Sequence, residues 1–272
     1  MVTNSETAVL DPHIGLGRER RFLETSALLF AASAIATVLW CRRMSGGMPM
    51  PGGWTMSMAW MKMPGQSWLG AAITFMGMWL VMMIAMMLPS LVPTLSVYRR
   101  SIRGSGETYV AWLTVLASAG YFFIWTVFGA IAYSAALVLV AAEMRWPIFA
   151  RSVPAVIGAV LLLAGLIQLT AWKGRELARC RNASACDPSL SLGARNAWGH
   201  GLCLGVHCCM CCSGFMMLLL VTGVMRLSAT AIVAAAITVE RLAPRPERAA
   251  RVTGAVIIAA GVLMVSRALA MT

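Results

Sequence analysis

Charged residues are scarce in this sequence, and acidic residues are the scarcest of them. Only 12% of the 272 residues are charged, and Asp and Glu together number 10. A soluble protein of this length needs far more charge on its surface, so the composition excludes an ordinary soluble domain. Segments of alternating apolar and polar residues, which form membrane β-barrels, are also missing.

The apolar stretches contain almost no ionisable residues. Glu24, Glu240 and Arg267 lie near the predicted ends of spans, and we expect no buried Asp, Glu or Lys inside one. Proton- and sodium-coupled carriers need such groups within the membrane, and many have internal repeats, which this chain lacks. Because there is no nucleophile–base pair and no phosphate-binding loop, we expect no enzymatic activity.

Long apolar runs are what the sequence has instead, since 60% of its residues are hydrophobic. Several runs of about 18 residues or more can each cross roughly 30 Å of hydrocarbon. We therefore predict an all-α protein, a polytopic transmembrane helical bundle of about seven spans, with six as the alternative. The predicted spans are 22–40, 68–88, 109–142, 155–172, 199–225, 227–239 and 252–270. Residues 1–21 would form a cytoplasmic tail and residues 22–272 a single transmembrane domain, with a methionine-rich outward loop at 41–67.

Prolines and glycines set the predicted ends and bends of these spans. Pro89 is expected to end the second span, and Pro93 to keep the following turn non-helical. The third run is too long for one upright helix, so we predict a tilted span with Gly120 and Gly129 as candidate bends. Residues 173–196 are predicted to form a polar loop.

The basic residues predict the orientation of the chain. In a soluble protein, the formal net charge of +12 would point to nucleic acid. Here the arginines lie in short loops between apolar runs, so we expect membrane lipid and no nucleic acid as a partner. Seven spans would place 15 of the 22 Lys and Arg residues on the side of the N-terminus. The positive-inside rule then predicts a multi-pass protein with its N-terminus in the cytoplasm (N-in) and its C-terminus outside.

Methionine is concentrated in one stretch, where 13 of the 21 methionines lie between residues 44 and 87. Thioethers are neutral and soft, and several together prefer Cu(I) to hard cations. In a loop broken by Gly and Pro, closely spaced methionines can wrap around such an ion without losing a proton. The sequence predicts copper capture by this loop, with a protein-docking surface as the alternative. The candidate loop ligands are Met48, Met50, Met56, Met58, Met61 and Met63.

Methionines continue along the second span in two neighbouring stripes. At about 100° per residue, residues 76, 83 and 87 share one stripe, and residues 78, 82 and 86 share the next. Such ladders could pass a soft cation inward without presenting a charge to lipid. Methionine also fills apolar helices, so packing explains this segment equally well. The candidate ligands in this span are Met82, Met83, Met86 and Met87.

Cysteine and histidine are concentrated in a second stretch, where seven of the chain's eleven such residues lie between 200 and 212. Spaced by three or four, they fall on two adjoining helical faces. Thiolate and imidazole suit Cu(I) or Zn(II), and the methionine loop favours copper, with zinc as the rival metal. The candidate ligands are His200, Cys203, His207, Cys208, Cys211, Cys212 and Met216.

Other roles for these cysteines stay open. A Cys208–Cys211 redox pair and simple apolar packing are the alternatives to a metal site. A disulfide staple is not expected, because neighbours on one helical turn have poor bridging geometry. Cys180 and Cys186, in the loop before the fifth span, are either relay ligands or ordinary reduced thiols.

Three motifs carry a family resemblance. The first is a helix end, Trp-x-x-Met-x-x-Ala-Met-Met-x-Pro-x-x-x-Pro, matched by Trp79, Met82, Ala85, Met86, Met87, Pro89 and Pro93. The second is matched by Gln168, Thr170, Lys173, Cys180 and Arg181, with Glu176 at a position where the pattern has Cys. The third is matched by Cys208, Cys211, Cys212, Met216, Gly223, Met225, Glu240 and Pro244, with Arg241 in place of Lys. Met210, Ser213 and Phe215 depart from this third pattern. From about Trp79 to Pro244, the chain resembles a bacterial family of predicted metal-binding integral membrane proteins.

Together, these features predict a Cu(I) acceptor or conduit, and the resemblance implies that it lies in the bacterial inner (cytoplasmic) membrane. Its partners would be a periplasmic metal donor or the subunits of a membrane complex. One alternative is a structural or assembly subunit of a membrane oxidase or monooxygenase, for which the methionine loop would be a docking surface. The other is a thiol-redox membrane protein.

Overall fold

Eight helices and one short hairpin form the part of the chain that the structure describes. The computed structural model describes residues 12–44, 47–50, 54–57, 65–102, 106–182, 186 and 193–270. The helices are α1 (Pro12–Arg43), α2 (Trp68–Ser101), α3 (Glu107–Arg145), α4 (Pro147–Gln168), α5 (Ala171–Arg181), α6 (Ala194–Thr222), α7 (Leu227–Leu242) and α8 (Pro246–Ala270). Strands β1 (Gly47–Met50) and β2 (Trp54–Ser57) pair antiparallel between α1 and α2. The predicted helical bundle is confirmed, with the hairpin as an addition.

Within the described residues, five helical segments are long and apolar enough to cross a membrane, as a multi-pass membrane protein requires. They are Gly17–Arg43, Trp68–Ser101, Glu107–Arg145, Ala194–Thr222 and Pro246–Arg267. Ser152–Gln168 and Ala171–Arg181 add a sixth if this pair, bent by 67°, is one span. Helix α7 has 16 residues, so it is about 24 Å long and shorter than the hydrocarbon layer. Of the two predicted numbers of spans, seven and six, the helix lengths therefore allow six. The N-in orientation stays a prediction.

Helix α2 does not end at the prolines. It continues through Pro89 and Pro93 to Ser101, so the predicted end of this span is wrong. Membrane helices tolerate proline because neighbouring helices and hydroxyl side chains compensate the freed backbone groups. In this part of α2, the Ser90 hydroxyl donates a hydrogen bond to the Met87 carbonyl oxygen.

The region predicted as the polar loop 173–196 begins with a helix instead. The Thr170 hydroxyl oxygen accepts a hydrogen bond from the Lys173 backbone N–H and starts α5, directly after the 67° bend. The bend places α5 against α6 and buries Lys173, Glu176 and Cys180. The expectation that Lys and Glu stay out of the bundle is therefore wrong. Sequence windows could not show this, because the compensating partners come from other helices.

Glycines allow α3 and α6 to approach closely. A Cβ atom on Gly201 would lie 2.0 Å from the Ala117 carbonyl oxygen, and one on Gly120 would lie 2.7 Å from the Trp198 carbonyl oxygen. Helix α3 is continuous through Gly120 and Gly129, so neither glycine ends it. Backbone-to-backbone contact fixes how α6 is rotated, and hence where its cysteines point.

Substituting Gly201 with Ala is expected to lower the free energy of unfolding by about 1–3 kcal/mol, since the added methyl group must push two helix backbones apart. Gly199→Ala is the matched control, because Gly199 is exposed and its Cβ would meet nothing within 4 Å. Thermal unfolding in detergent, followed by circular dichroism, compares the two variants. Equal melting temperatures would contradict the close α3–α6 contact.

Candidate metal centre

Four cysteines meet where α5 packs against α6. Cys208, Cys211 and Cys212 from α6 and Cys180 from α5 are all free thiols and are at most 2% exposed. The Sγ atoms of Cys208 and Cys212 lie 3.9 Å apart. Cys180 is close to both Cys208 and Cys211, and Arg241 binds the Cys180 carbonyl oxygen and the Cys208 sulfur together. We call these four residues the core thiol cluster.

The spacing on α6 and the bend before α5 explain how the cluster forms. Residues three and four apart on a helix are neighbours, which brings Cys208, Cys211 and Cys212 together from the two adjoining faces that the sequence analysis distinguished. Cys180 was predicted to be either a relay ligand or an ordinary reduced thiol, and it was not placed with the cysteines of α6, because its position depends on the turn from α4 into α5. The Cys-Arg pair of the second motif was the sequence signal that could have identified it.

Arg241 is buried beside this cluster. Its guanidinium group donates hydrogen bonds to the Cys208 sulfur (3.4 Å), the Ser90 hydroxyl (2.8 Å) and the Cys180 carbonyl oxygen (3.3 Å). The Tyr121 hydroxyl also donates to the Cys208 sulfur, at 2.9 Å. Among the residues that the structure describes, no carboxylate pairs with Arg241. Because a buried cation needs an anion, the Cys208 sulfur is suited to be a thiolate, the form in which cysteine binds soft metals.

A second buried cation lies on the other side of the cluster. The Lys173 ammonium group is 2.8 Å from a Glu240 carboxylate oxygen, and these side chains are 2% and 1% exposed. Lys173 also donates to the Cys211 carbonyl oxygen at 2.6 Å. Gln168 and Thr253 donate to the other Glu240 oxygen. This network joins helices α4 to α8 and holds α5 against the cysteines of α6.

A second group of ligand atoms lies nearer the start of α6. Cys186, from the segment before α6, forms a disulfide with Cys203, with their Cα atoms 5.7 Å apart. The expectation of no disulfide is wrong, because it considered only cysteines on one helical turn. The ligand atoms of Cys186, Cys203 and His207 all lie within 4.8 Å of one another. We call these three residues the outer group.

His207 is oriented by a carboxylate. Its Nδ1 atom is 3.0 Å from a Glu176 carboxylate oxygen, and Arg179 binds the other oxygen at 2.7 Å. Glu176 stands where the second motif has a cysteine, so it supplies an oxygen in place of a sulfur. A carboxylate on one ring nitrogen of histidine is a common way to orient the other nitrogen toward a metal.

The methionines of α2 face the bundle core. The four predicted ligands of this helix are at most 2% exposed, and Met216 of α6 is fully buried in the same core. Met87 precedes Ser90 by less than one helical turn, and Ser90 binds Arg241 beside Cys208. The α2 methionines thus lie on the helix that also binds Arg241 through Ser90. The predicted α2 ligands are Met82, Met83, Met86 and Met87.

The methionine loop contains the hairpin of β1 and β2. Its register pairs Met48 with Met56 and Met50 with Trp54. Three further predicted ligands lie outside the described residues: Met58, Met61 and Met63. The backbone thus brings two of the six candidate ligands to facing positions in neighbouring strands.

His200 is a member of neither group, although Cys203 follows it within one helical turn. It is buried near the start of α6, where its ring stacks on Tyr98 with the ring centroids 4.7 Å apart. It is seven residues from His207, which corresponds to about 10 Å along the helix. Of the seven ligands predicted in and after this stretch, His200 is the one that the structure places in a different environment.

Comparison with known proteins supports a metal centre. The copper chaperone family PpoB2 matches residues 76–264. The chain belongs to this family. The predicted resemblance to a metal-handling family is therefore confirmed. Membership of the copper chaperone family, together with the outer group of Cys186, Cys203 and His207, shows that this is a copper-handling protein. The family match includes the core thiol cluster, the outer group and the α2 methionines, whereas the methionine loop precedes it. No curated protein and no solved structure matches the chain significantly.

Proposed function

We propose that this protein binds Cu(I) in the core thiol cluster and passes it on to a partner, without catalysing a reaction. The observation that carries the proposal is the buried guanidinium of Arg241, which contacts the Cys208 sulfur and pairs with no carboxylate among the described residues. Thiolates that bind Cu(I) form an anionic complex, and Arg241 is placed to neutralise it. The charge of Lys173 is already paired with Glu240, so Arg241 is the cation that this complex would use.

Copper is a better match than zinc, although four cysteines also suit zinc. The copper chaperone family supports copper as the cargo. The buried thioethers of α2 support the Cu(I) state, because thioether sulfur is a soft donor that favours Cu(I) over harder ions. Met216 adds a further thioether one helical turn beyond Cys212.

The proposed route begins at the methionine loop. Loop methionines would take Cu(I) from a periplasmic donor, the α2 methionines would guide it, and the core thiol cluster would hold it. This route assumes the predicted N-in orientation in a bacterial inner membrane. The chaperone description favours delivery to a subunit of a membrane complex, and an assembly role for an oxidase or monooxygenase is consistent with such delivery. Cys208 and Cys211 are both free thiols, the form in which they can bind Cu(I).

Cys208→Ser is expected to weaken Cu(I) binding by more than the roughly 10–100-fold that losing an outer-shell partner costs, because it removes a ligand itself. The matched control is Cys209→Ser, which removes the neighbouring free thiol that is only partly buried. Competition with a Cu(I) chelator, using the full-length protein in detergent, measures both affinities. Equal affinities in the two variants, or binding of zinc alone, would overturn the proposal.

Competition with a Cu(I) chelator also distinguishes the methionines of the proposed route from the core thiol cluster that would hold the copper. Leucine at all six loop positions, or Met86→Leu with Met87→Leu, keeps the apolar volume nearly constant. We expect slower loading of copper in these variants and an unchanged final amount. A loss of bound copper at equilibrium would mean that the methionines form the holding site themselves.

A further inference from the structure

We propose that the outer group is a second copper site, which the Cys186–Cys203 disulfide closes and a thiol reductant opens. The inference rests on the proposed function in one respect, namely that Cu(I) is the cargo. In the closed state, both sulfurs are bonded to each other and offer no thiolate. In the open state, Cys186, Cys203 and His207 provide two thiolates and one imidazole, a soft ligand set that suits Cu(I).

The three ligand atoms are already close enough to share one ion. All of them lie within 4.8 Å of one another. Cys203 and His207 are one helical turn apart on α6, and Cys186 reaches them from the preceding segment. Reduction would therefore leave two thiols and an imidazole facing a common point.

Glu176 gives His207 the tautomer that a metal site needs. With Nδ1–H donating to the Glu176 carboxylate at 3.0 Å, the Nε2 lone pair is free to bind a cation. Arg179 holds the same carboxylate at 2.7 Å and fixes its position. A histidine that only filled space would not need this buried carboxylate.

Accessibility separates the outer group from the core thiol cluster. The His207 side chain is 23% exposed, and Cys186 and Cys203 are both partly exposed. A small thiol or a copper donor can therefore reach them, whereas the core thiols are almost completely buried. Under the N-in prediction, this end of α6 is cytoplasmic, where disulfides are rare and usually transient or redox-sensing.

The opening step is a thiol–disulfide exchange. A dithiol reductant gives two electrons and two protons to the Cys186–Cys203 bond and becomes a disulfide itself. The Sγ–Sγ bond breaks, and two protein thiols form. Binding of Cu(I) then displaces the two thiol protons to solvent, and the copper ion keeps its oxidation state.

The two sites share the same pair of helices. Glu176 and Cys180 are one turn apart on α5, and His207 and Cys208 are consecutive on α6. The outer group thus adjoins the core thiol cluster. Reduction would therefore add a solvent-accessible copper site next to the buried one. Copper exchange between core and solvent would depend on the redox state of Cys186 and Cys203.

The test compares copper binding by the full-length protein in two redox states. Oxidised protein, with the Cys186–Cys203 bond verified by mass spectrometry, and protein reduced with a phosphine that is then removed are titrated anaerobically with Cu(I) against a chelator. We expect the reduced protein to bind one more Cu(I) than the oxidised protein. X-ray absorption of the additional copper should show imidazole scattering. Equal stoichiometry in the two states, or failure of the disulfide to form, would overturn the inference.

Variants distinguish this site from the core thiol cluster. Cys186→Ser and His207→Asn should each remove the reduction-dependent copper, and Glu176→Gln should weaken it about 10–100-fold. A reduction-dependent copper that persists in both of the first two variants would contradict the assignment. In Cys208→Ser, the difference between redox states should remain while the core copper is lost. If Cys208→Ser retains its core copper, the proposed function fails, but the gated outer site is still tested by the redox difference.

Discussion

Glu240→Gln is expected to lower the free energy of unfolding by about 3–5 kcal/mol, the usual cost of removing one partner of a buried ion pair. Lys173 and Glu240 are 2.8 Å apart and almost completely buried, so the variant leaves an ammonium group without its counter-ion. The Cys211 carbonyl oxygen still accepts a hydrogen bond from Lys173, but a neutral acceptor does not replace a carboxylate. Unfolding in detergent, followed by circular dichroism, measures the change.

Two comparisons show whether the charge itself causes this loss. Replacing both partners, Lys173→Met with Glu240→Leu, removes the unpaired charge and should recover most of the stability. Glu24→Gln disrupts the exposed Arg20–Glu24 pair and should change the stability very little. A Glu240→Gln variant as stable as Glu24→Gln would show that Lys173 does not depend on its carboxylate.

Arg241→Met is expected to weaken Cu(I) binding by about 100-fold or more. Leaving an uncompensated buried charge costs about 3–5 kcal/mol, and each 1.4 kcal/mol is a tenfold change in affinity. Here the uncompensated charge is that of the copper–thiolate complex, so the loss should appear in binding more than in the stability of the copper-free protein. Chelator competition gives the affinity, and thermal unfolding without copper gives the stability.

Arg248→Met is the control for this prediction, because Arg248 is an exposed arginine near the start of α8. It should leave the affinity for Cu(I) unchanged. Arg241→Lys keeps the charge but lacks the planar group that contacts Cys208, Ser90 and the Cys180 carbonyl oxygen together, so partial recovery is expected. An Arg241→Met variant that binds Cu(I) within threefold of the wild type would exclude a role in charge compensation.

The candidate site was predictable to the extent that it lies on one helix. Cys208, Cys211 and Cys212 follow the spacing of a helical face, and α6 brings them together. Cys180 is equally buried in the cluster, but its contribution depends on the bend between α4 and α5. The Cys186–Cys203 bond likewise depends on how the segment before α6 returns to that helix.

Buried charge was the largest error of the sequence-based prediction. Lys173, Glu176 and Glu240 were placed in loops or near the ends of spans, where a charged residue would meet water. In the structure they lie inside the protein. Lys173 and Glu240 pair with each other, and Glu176 pairs with His207. A hydropathy window scores each residue only by its transfer between water and lipid. It does not include the ion pairs that these residues form with side chains of other helices.

The sequence by itself determined the class of the protein and its soft-ligand chemistry. Apolar length dictates helices in a membrane, and helical spacing dictates which cysteines of α6 share a face, because both depend on local geometry alone. The tertiary structure alone decided that Cys180 completes the cluster, that Arg241 lies against Cys208, and that Cys203 is bonded to Cys186. These contacts join residues distant in the chain, and their positions depend on how helices bend and pack. No pattern along a single helix contains that information.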